Sequence, residues 1–180
     1  MRKPAESTLG AIRQATRADA LPLARLAERT FRETFASGNT AENMELHCRT
    51  SYQESIQASE IADPIMVTLV VAHEQELIGF AQLRWAPAPA CVAGRTPGEI
   101  LRIYLLREWH GKGIAQPLMA ACLAELKARG SDVVWLGVWE RNPRAIAFYT
   151  RIGFVERGEH VFPVGDDPQR DIIMVRSLGG

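Results

Sequence analysis

Residues 99–119 restrict the fold and the chemistry of this chain more than any other part of the sequence. The segment starts as a strand-like apolar run up to Leu106, passes Gly111 and Gly113, and continues at once into a helical pattern. Glycine lets the backbone approach a ligand closely, and the free N–H groups in the first turn of a helix favour an anion. Pro117 fits this register because proline is tolerated in the first turn of a helix. The segment predicts a phosphate-binding site, with an ordinary glycine-containing β–α turn as the alternative.

Two common phosphate-binding motifs do not fit the segment. The P-loop pattern GxxxxGK(S/T) is absent from the sequence. The dinucleotide pattern GxGxxG is incomplete, because Gln116 stands where its third glycine belongs and no acidic residue closes the following strand in the expected way. A P-loop is therefore excluded, and a Rossmann dinucleotide site is disfavoured.

The apolar pattern elsewhere predicts a mixed α/β sheet with helices on both faces. Hairpin-like strands come first, and strand–helix alternation follows them. Asp19 is the predicted N-cap of the first helix, and Asn39 or Thr40 is the predicted N-cap of the second. Strands are predicted over residues 9–16, 65–72, 77–85, 99–106, 132–139, 154–161 and 171–177, and later helices over 42–59, 113–129 and 142–151.

Charge and cysteine content limit the partners and the compartment. The chain has 21 basic and 21 acidic residues, so it has no bulk field that would attract nucleic acid or an anionic membrane. Cys48, Cys91 and Cys122 form no CxxC and no metal-ligand cluster, which predicts reduced thiols and no metal site. The basic N-terminus has no apolar region after it, and the longest apolar run, residues 65–72, is too short to span a bilayer. We expect a cytoplasmic protein.

The glycine segment also resembles a family signature. Residues His110-Gly111-Lys112-Gly113-Ile114-Ala115 are similar to the Arg/Gln-x-x-Gly-x-Gly/Ala signature of the GNAT N-acetyltransferases, with His110 in the place of Arg or Gln. Residues 103–105 look like the strand that binds the pantetheine arm, and residues 142–154 resemble the family's other hallmark. The resemblance implies acetyl-CoA as the cosubstrate and one domain over residues 1–180. It also implies the GNAT fold, with a mixed, mostly antiparallel sheet of six to seven strands flanked by about four helices.

The same resemblance assigns cofactor contacts and a pair of proton-transfer roles. A backbone amide near Leu105 would donate to the acetyl carbonyl. An alkylammonium must lose a proton before it can attack, and the candidate bases are Glu99, Glu140 or a chain of waters. Tyr149 is the candidate general acid for the departing thiolate, with a packed aromatic as the alternative role. The Asn142 side chain would cap its helix, contact the cofactor, or do both. Cofactor contacts are expected from Ile103, Tyr104, Leu105, His110, Gly111, Lys112, Gly113, Ile114, Ala115, Gln116, Asn142, Ala145 and Phe148.

Further segments resemble the PaiA-type subgroup, which includes polyamine N-acetyltransferases. They are Thr30–Phe35, Asn39–Asn43, Trp135–Asn142 and the tail Gly158–Asp171. The resemblance favours a polyamine or a similar small amine, and Glu33 and Glu42 would bind it, although a solvated helix face also explains these acids. A peptide α-amine, another metabolite, or a CoA-binding regulatory module without turnover are the alternatives. Homodimers are common in the family, but the sequence does not fix an interface.

Overall fold

A computed structural model describes residues 10–179 of the chain. Residues 1–9, which hold most of the basic N-terminus and the start of the first predicted strand, lie outside the described residues. The strands of the described part are β1 (Ala11–Gln14), β2 (Met66–His73), β3 (Glu76–Arg84), β4 (Pro97–Leu105), β5 (Val133–Trp139), β6 (Val155–Val164) and β7 (Asp167–Ser177). Its α-helices are α1 (Ala20–Phe35), α2 (Ala41–Ser51), α3 (Glu54–Ala62), α4 (Ala115–Ala128) and α5 (Pro143–Arg151).

The described strands form one sheet in the order β1-β2-β3-β4-β5-β7-β6. Neighbouring strands are antiparallel except β4 and β5, which are parallel. In β2 and β3, consecutive residues such as Val70 and Val71, or Phe80 and Ala81, are completely buried. Both faces of the sheet are therefore covered, since successive side chains point to opposite faces. The predicted fold class, a mixed and mostly antiparallel sheet flanked by helices, is confirmed.

The prediction of one helix over residues 42–59 is wrong, because the chain forms α2 and α3 there. The Thr40 hydroxyl caps α2 by accepting from the amide of Asn43 at 3.2 Å, as predicted. At Tyr52 the backbone leaves the helical conformation and the side chain enters the core. The buried Gln57 then donates to the carbonyl of Ser51 at 3.1 Å and satisfies the end of α2. The break between α2 and α3 contains no proline or glycine, and it coincides with the burial of Tyr52 and Gln57.

Two further elements differ from prediction in detail. Asp19 does precede α1, but its carboxylate bonds back to the amide of Thr16 at 2.7 Å and to the guanidinium of Arg13, not to the helix. The last two strands form one long hairpin, because β6 continues to Val164 and Gly165 turns the chain with a φ of 59°. Because this hairpin contains many polar residues, the apolar pattern of the sequence did not predict its full length.

Candidate active site

The site is built around a fork between β4 and β5. Their parallel pairing covers only three positions and ends where Glu99 faces Trp135. Beyond this pair the two strands separate, and β4 carries an irregularity at Leu101, which has no partner on β3. A cavity of about 870 Å³ fills the fork and is lined by residues 100–105 of β4 and 136–139 of β5. Ligands of open α/β sheets bind in such a gap, so the fork is the candidate active site.

The loop that follows β4 forms one end of the site. Gly111 and Gly113 have φ values of 76° and 79°, a region that L side chains rarely adopt, so glycine is required by the backbone. A Cβ atom on either glycine would meet nothing within 4 Å. Both positions therefore face open space. Helix α4 begins directly afterwards, and the N–H groups of its first turn have no partner within the helix. Open backbone and free N–H groups fit a phosphate group.

His110 connects this loop to β4 and α5. Its Nε2 lies 2.9 Å from the carbonyl oxygen of Leu105, and its Nδ1 lies 2.7 Å from Nη1 of Arg144. An arginine only donates, so Nδ1 must accept and Nε2 must carry the proton that it donates to Leu105. His110 is thus assigned as the neutral imidazole with the proton on Nε2. The side chain holds the loop in place.

The residues predicted to bind the cofactor fall into two groups. One group lines the cavity: Ile103, Tyr104, Leu105, His110, Ala115, Asn142, Ala145 and Phe148. The other group lies in the loop and the start of α4 without lining the cavity: Gly111, Lys112, Gly113, Ile114 and Gln116. Within the second group the side chain of Ile114 is buried in the core, and that of Lys112 lies 4.5 Å from the ring centre of Trp109.

Tyr149 lies on α5 and lines the same cavity. Asn142 accepts from the amide of Ala145 at 3.2 Å, so the predicted N-cap of α5 is confirmed. Burial raises the pKa of the Tyr149 phenol well above its ordinary value. The hydroxyl therefore keeps its proton at neutral pH and can donate it. Burial likewise raises the pKa of Tyr104, which faces the same cavity.

Both carboxylates predicted as bases lie in ion pairs outside the lining of the cavity. Glu99 is buried, and its Oε2 lies 2.7 Å from Nε of Arg84. Glu140 follows β5 on the surface, and its Oε2 lies 2.9 Å from Nη1 of Arg170. The structure brings neither carboxylate to the cavity that Tyr149 lines.

Of the two acids predicted to bind the acceptor, one lines the cavity and the other does not. Glu33 lines the cavity, but its Oε2 accepts from the amide of Arg107 at 2.9 Å and its Oε1 from Arg29 at 3.1 Å. Glu42 is exposed in the first turn of α2 and does not line the cavity. Only Glu33 is therefore placed to face a ligand.

Five charged residues that line the cavity were not among the predicted site residues: Arg102, Arg107, Arg141, Arg144 and Asp171. Arg102, on β4, is held by Glu60 and Gln82 at 2.9 and 2.6 Å and faces the ring of Tyr52 at 5.5 Å. Asp171, on β7, is a buried carboxylate in the wall of the cavity. A charged residue inside an apolar strand was the available signal for Arg102. For Asp171 the sequence offered only its place at the end of the tail segment 158–171, and the order of the strands is what puts β7 beside the fork.

The mouth of the cavity is basic. Arg107, Arg141 and Arg144 contribute to its lining and are exposed. Guanidinium groups match phosphate oxygens in geometry and charge. These side chains, together with the backbone of the glycine loop, would suit a phosphate group.

Residues 10–179 contain no group of three or more His, Cys, Asp or Glu side chains placed to hold a metal ion. No helix in this part of the chain is long and apolar enough to cross a membrane.

Comparisons with known proteins agree with the geometry. A protein described as an uncharacterized N-acetyltransferase from Lactobacillus delbrueckii subsp. lactis is 32% identical over 155 residues, covering 85% of this chain and 88% of that protein. A mycothiol acetyltransferase from Corynebacterium aurimucosum is 34% identical over 86 residues, covering 47% of this chain and 26% of that protein. The crystal structure of a PaiA N-acetyltransferase from Thermoplasma acidophilum in complex with coenzyme A shares the fold. Its TM-score is 0.74 at 24% identity, covering 93% of this chain and 98% of that chain.

Residues 24–154 match the model of the acetyltransferase (GNAT) family. The match includes both strands of the fork, the glycine loop and α5. The chain therefore belongs to the GNAT family and is an acetyl-CoA-dependent N-acetyltransferase.

Proposed function

We propose that this enzyme transfers the acetyl group directly to a primary amine of a small molecule, with a polyamine or a similar small amine as the favoured acceptor. One observation carries the proposal: a single cavity joins the glycine loop at His110, the phenol of Tyr149 and the carboxylate of Asp171. Groups for binding an anion, donating a proton and binding a cation thus share one space.

Bound acetyl-CoA supplies the acetyl group as a thioester. The N–H groups at the start of α4 and the arginines at the mouth bind its phosphates. Tyr149 holds a proton within the fork and donates it to the thiolate that leaves. The cap made by Asn142 keeps α5, and with it Tyr149, in a fixed position.

Direct transfer needs no nucleophile of the protein, and the cysteines support this route. Cys122 is completely buried on α4, and burial raises the pKa of its thiol to about 12. Cys48 is also buried, and its pKa is raised to about 11. Neither thiol lines the cavity. Both stay protonated and outside the reaction.

The base remains a choice among carboxylates and water. Glu99 and Glu140 stay candidates, but each would reach the amine only through a chain of waters, because neither lines the cavity. Glu33 would contact the acceptor near the mouth, and Glu42 would act only on a long, flexible acceptor.

Contacts between distant segments support the PaiA-type assignment. Gln169 donates to the Oδ1 of Asn39 at 2.5 Å, and the amide of Asp166 donates to the Oδ1 of Asn43 at 3.2 Å. Two of the segments that suggest this subgroup, residues 39–43 and the tail 158–171, are therefore in contact. The relationship to a mycothiol acetyltransferase supports another small amine as the second candidate acceptor.

An acceptor panel tests the proposal. Acetyl-CoA would be combined with spermidine, simple alkylamines, an amino sugar and a peptide with a free N-terminus. Release of the CoA thiol and the mass of the product would be measured, with the protein's own thiols blocked. We expect acetylation of one or more small amines and little of the peptide. No turnover above background, together with a rise in melting temperature on adding CoA, would instead identify a binding module.

A further inference from the structure

Asp171 lines the cavity of the fork from β7. It lies on β7 opposite Trp139 of β5 on one side and opposite His160 of β6 on the other. The residue is 8% exposed, and the exposed part faces the cavity that Tyr149 and Tyr104 also line. The carboxylate of Asp171, which belongs to β7, thus reaches the space between β4 and β5.

Gly137 on β5 leaves room for this carboxylate. A Cβ atom at Gly137 would lie 2.7 Å from Nε2 of His160 and 3.2 Å from Oδ2 of Asp171. Any larger residue would compete for the space that the two side chains now fill. The wall of the fork is therefore shaped around the pair of Asp171 and His160.

His160 is placed to exchange a proton with Asp171. Its Nε2 is 3.8 Å from Oδ2 of Asp171, too far for a direct hydrogen bond but close enough that a small rotation of either side chain would form one. Among the described residues this buried nitrogen has no hydrogen-bond partner. The side chain of His160 is nevertheless 35% exposed, so the ring joins the carboxylate to solvent.

The surroundings favour a cation beside Asp171. Within residues 10–179, no Lys or Arg nitrogen lies within ion-pairing distance of its carboxylate, and its neighbour Arg170 pairs with Glu140 and Glu159. Arg102, which also lines the cavity, is already paired with Glu60.

Aromatic side chains form another part of the cavity wall. Trp139, Phe162 and Tyr104 line the same cavity. An ammonium group gains both from a carboxylate and from aromatic faces. This part of the cavity therefore suits the charged end of an amine.

We propose that Asp171 binds the ammonium group of the acceptor and takes its proton, and that His160 passes this proton to solvent. One N–H bond of the ammonium breaks, its electron pair stays on nitrogen, and an O–H bond forms on Asp171. The proton then moves to Nε2 of His160, and the neutral amine is free to attack the acetyl carbon. The inference rests on the proposed function, because it gives that reaction its base.

The direct test is Asp171→Asn, which keeps the size of the side chain but neither carries the charge nor accepts the proton. We expect kcat/KM for the most reactive amine of the panel to fall at least about 100-fold, as for loss of a general base. The Kd for CoA should stay within about twofold of that of the wild type. The matched control is Asp166→Asn, the same change at an exposed residue of the same hairpin, which should leave both quantities unchanged.

His160→Ala tests the relay. We expect kcat to fall about tenfold and added imidazole to restore part of it, an effect that a purely structural role would not give. Gly137→Ala provides a second route if Asp171→Asn does not fold, because its methyl group would displace both side chains. It should lower kcat/KM for the amine and leave CoA binding intact.

Isothermal titration calorimetry of spermidine binding tests this inference separately from the proposed function. If the wild type acetylates no amine, the proposed function fails, and binding of spermidine to the wild type and to Asp171→Asn then decides the inference. Tight binding by the wild type that Asp171→Asn loses supports the ammonium site. A kcat/KM of Asp171→Asn within about threefold of the wild type, or equal spermidine binding by both proteins, would overturn it.

Discussion

The Nη1 of Arg144 lies 2.7 Å from Nδ1 of His110, which makes the imidazole a neutral bridge between α5 and the end of β4. The opposite nitrogen of the same ring bonds to the carbonyl of Leu105 at 2.9 Å. Arg or Gln is usual at this position of the GNAT signature, and here His110 uses both nitrogens to hold the loop. The substitution therefore changes the residue type and keeps a hydrogen-bonding role.

Replacing His110 tests this bridge. In His110→Phe both hydrogen bonds are lost, and we expect the KM for acetyl-CoA to rise about tenfold, equivalent to about 1.4 kcal/mol, with kcat within about twofold. His110→Gln is the matched variant, because an amide offers one donor and one acceptor, and its KM should stay close to that of the wild type. Equal KM values for the two variants would rule out the bridge as the cause.

Replacing a glycine of the loop should weaken the binding of acetyl-CoA in addition to lowering stability. In Gly111→Ala a side chain is forced to adopt a φ of 76°, which costs about 1–2 kcal/mol and changes the backbone that faces the ligand. We expect a higher KM for acetyl-CoA and a lower melting temperature. Gly130→Ala is the control, since its φ is 84° and its position is the C-terminal end of α4, away from the loop. It should lower the melting temperature similarly and leave KM unchanged, and a matching rise in its KM would show that the effect is only one of stability.

Tyr149→Phe tests the general acid. The ring and its packing against Phe154 remain, so we expect kcat to fall about 100-fold with little change in CoA affinity. The raised pKa of Tyr149 also makes a prediction about pH: the phenol stays protonated up to at least about pH 10, the ordinary pKa of a tyrosine. Loss of its proton should therefore cause no fall in kcat of the wild type between pH 8 and 10. An unchanged kcat in the variant would remove Tyr149 from the mechanism.

Glu99→Gln separates stability from catalysis. The change weakens the ion pair with Arg84 at a side chain only 6% exposed, so we expect the free energy of unfolding to fall by about 1–3 kcal/mol. Because Glu99 does not line the cavity, kcat should fall less than about tenfold. Denaturant unfolding and steady-state kinetics measure the two effects. A fall of 100-fold or more in kcat, with the melting temperature maintained, would restore Glu99 as the base.

Local patterns predicted the parts of the site that are contiguous in sequence. The strand before Leu106, the loop of Gly111 and Gly113, and the helix after it follow one another within about twenty residues, and the structure has them in that order. Asn142 and Tyr149 are likewise positioned by a short helix with its own cap. Where the prediction failed, at Tyr52, the deciding term was burial in the core, which local propensity does not contain.

The sequence by itself determined the fold class from its apolar periodicity, the glycine loop from the spacing within one segment, and the family from the resemblance of its motifs to a known signature. Only the tertiary structure decided which carboxylate faces the reaction space. Glu99 and Glu140 stand at suggestive positions along the chain, yet Arg84 and Arg170 hold them in ion pairs. Asp171 enters the fork because β7, the last strand in sequence, pairs directly with β5. The order of the strands places Asp171 beside Trp139, more than thirty residues away in the sequence, and no local sequence pattern predicts such a contact.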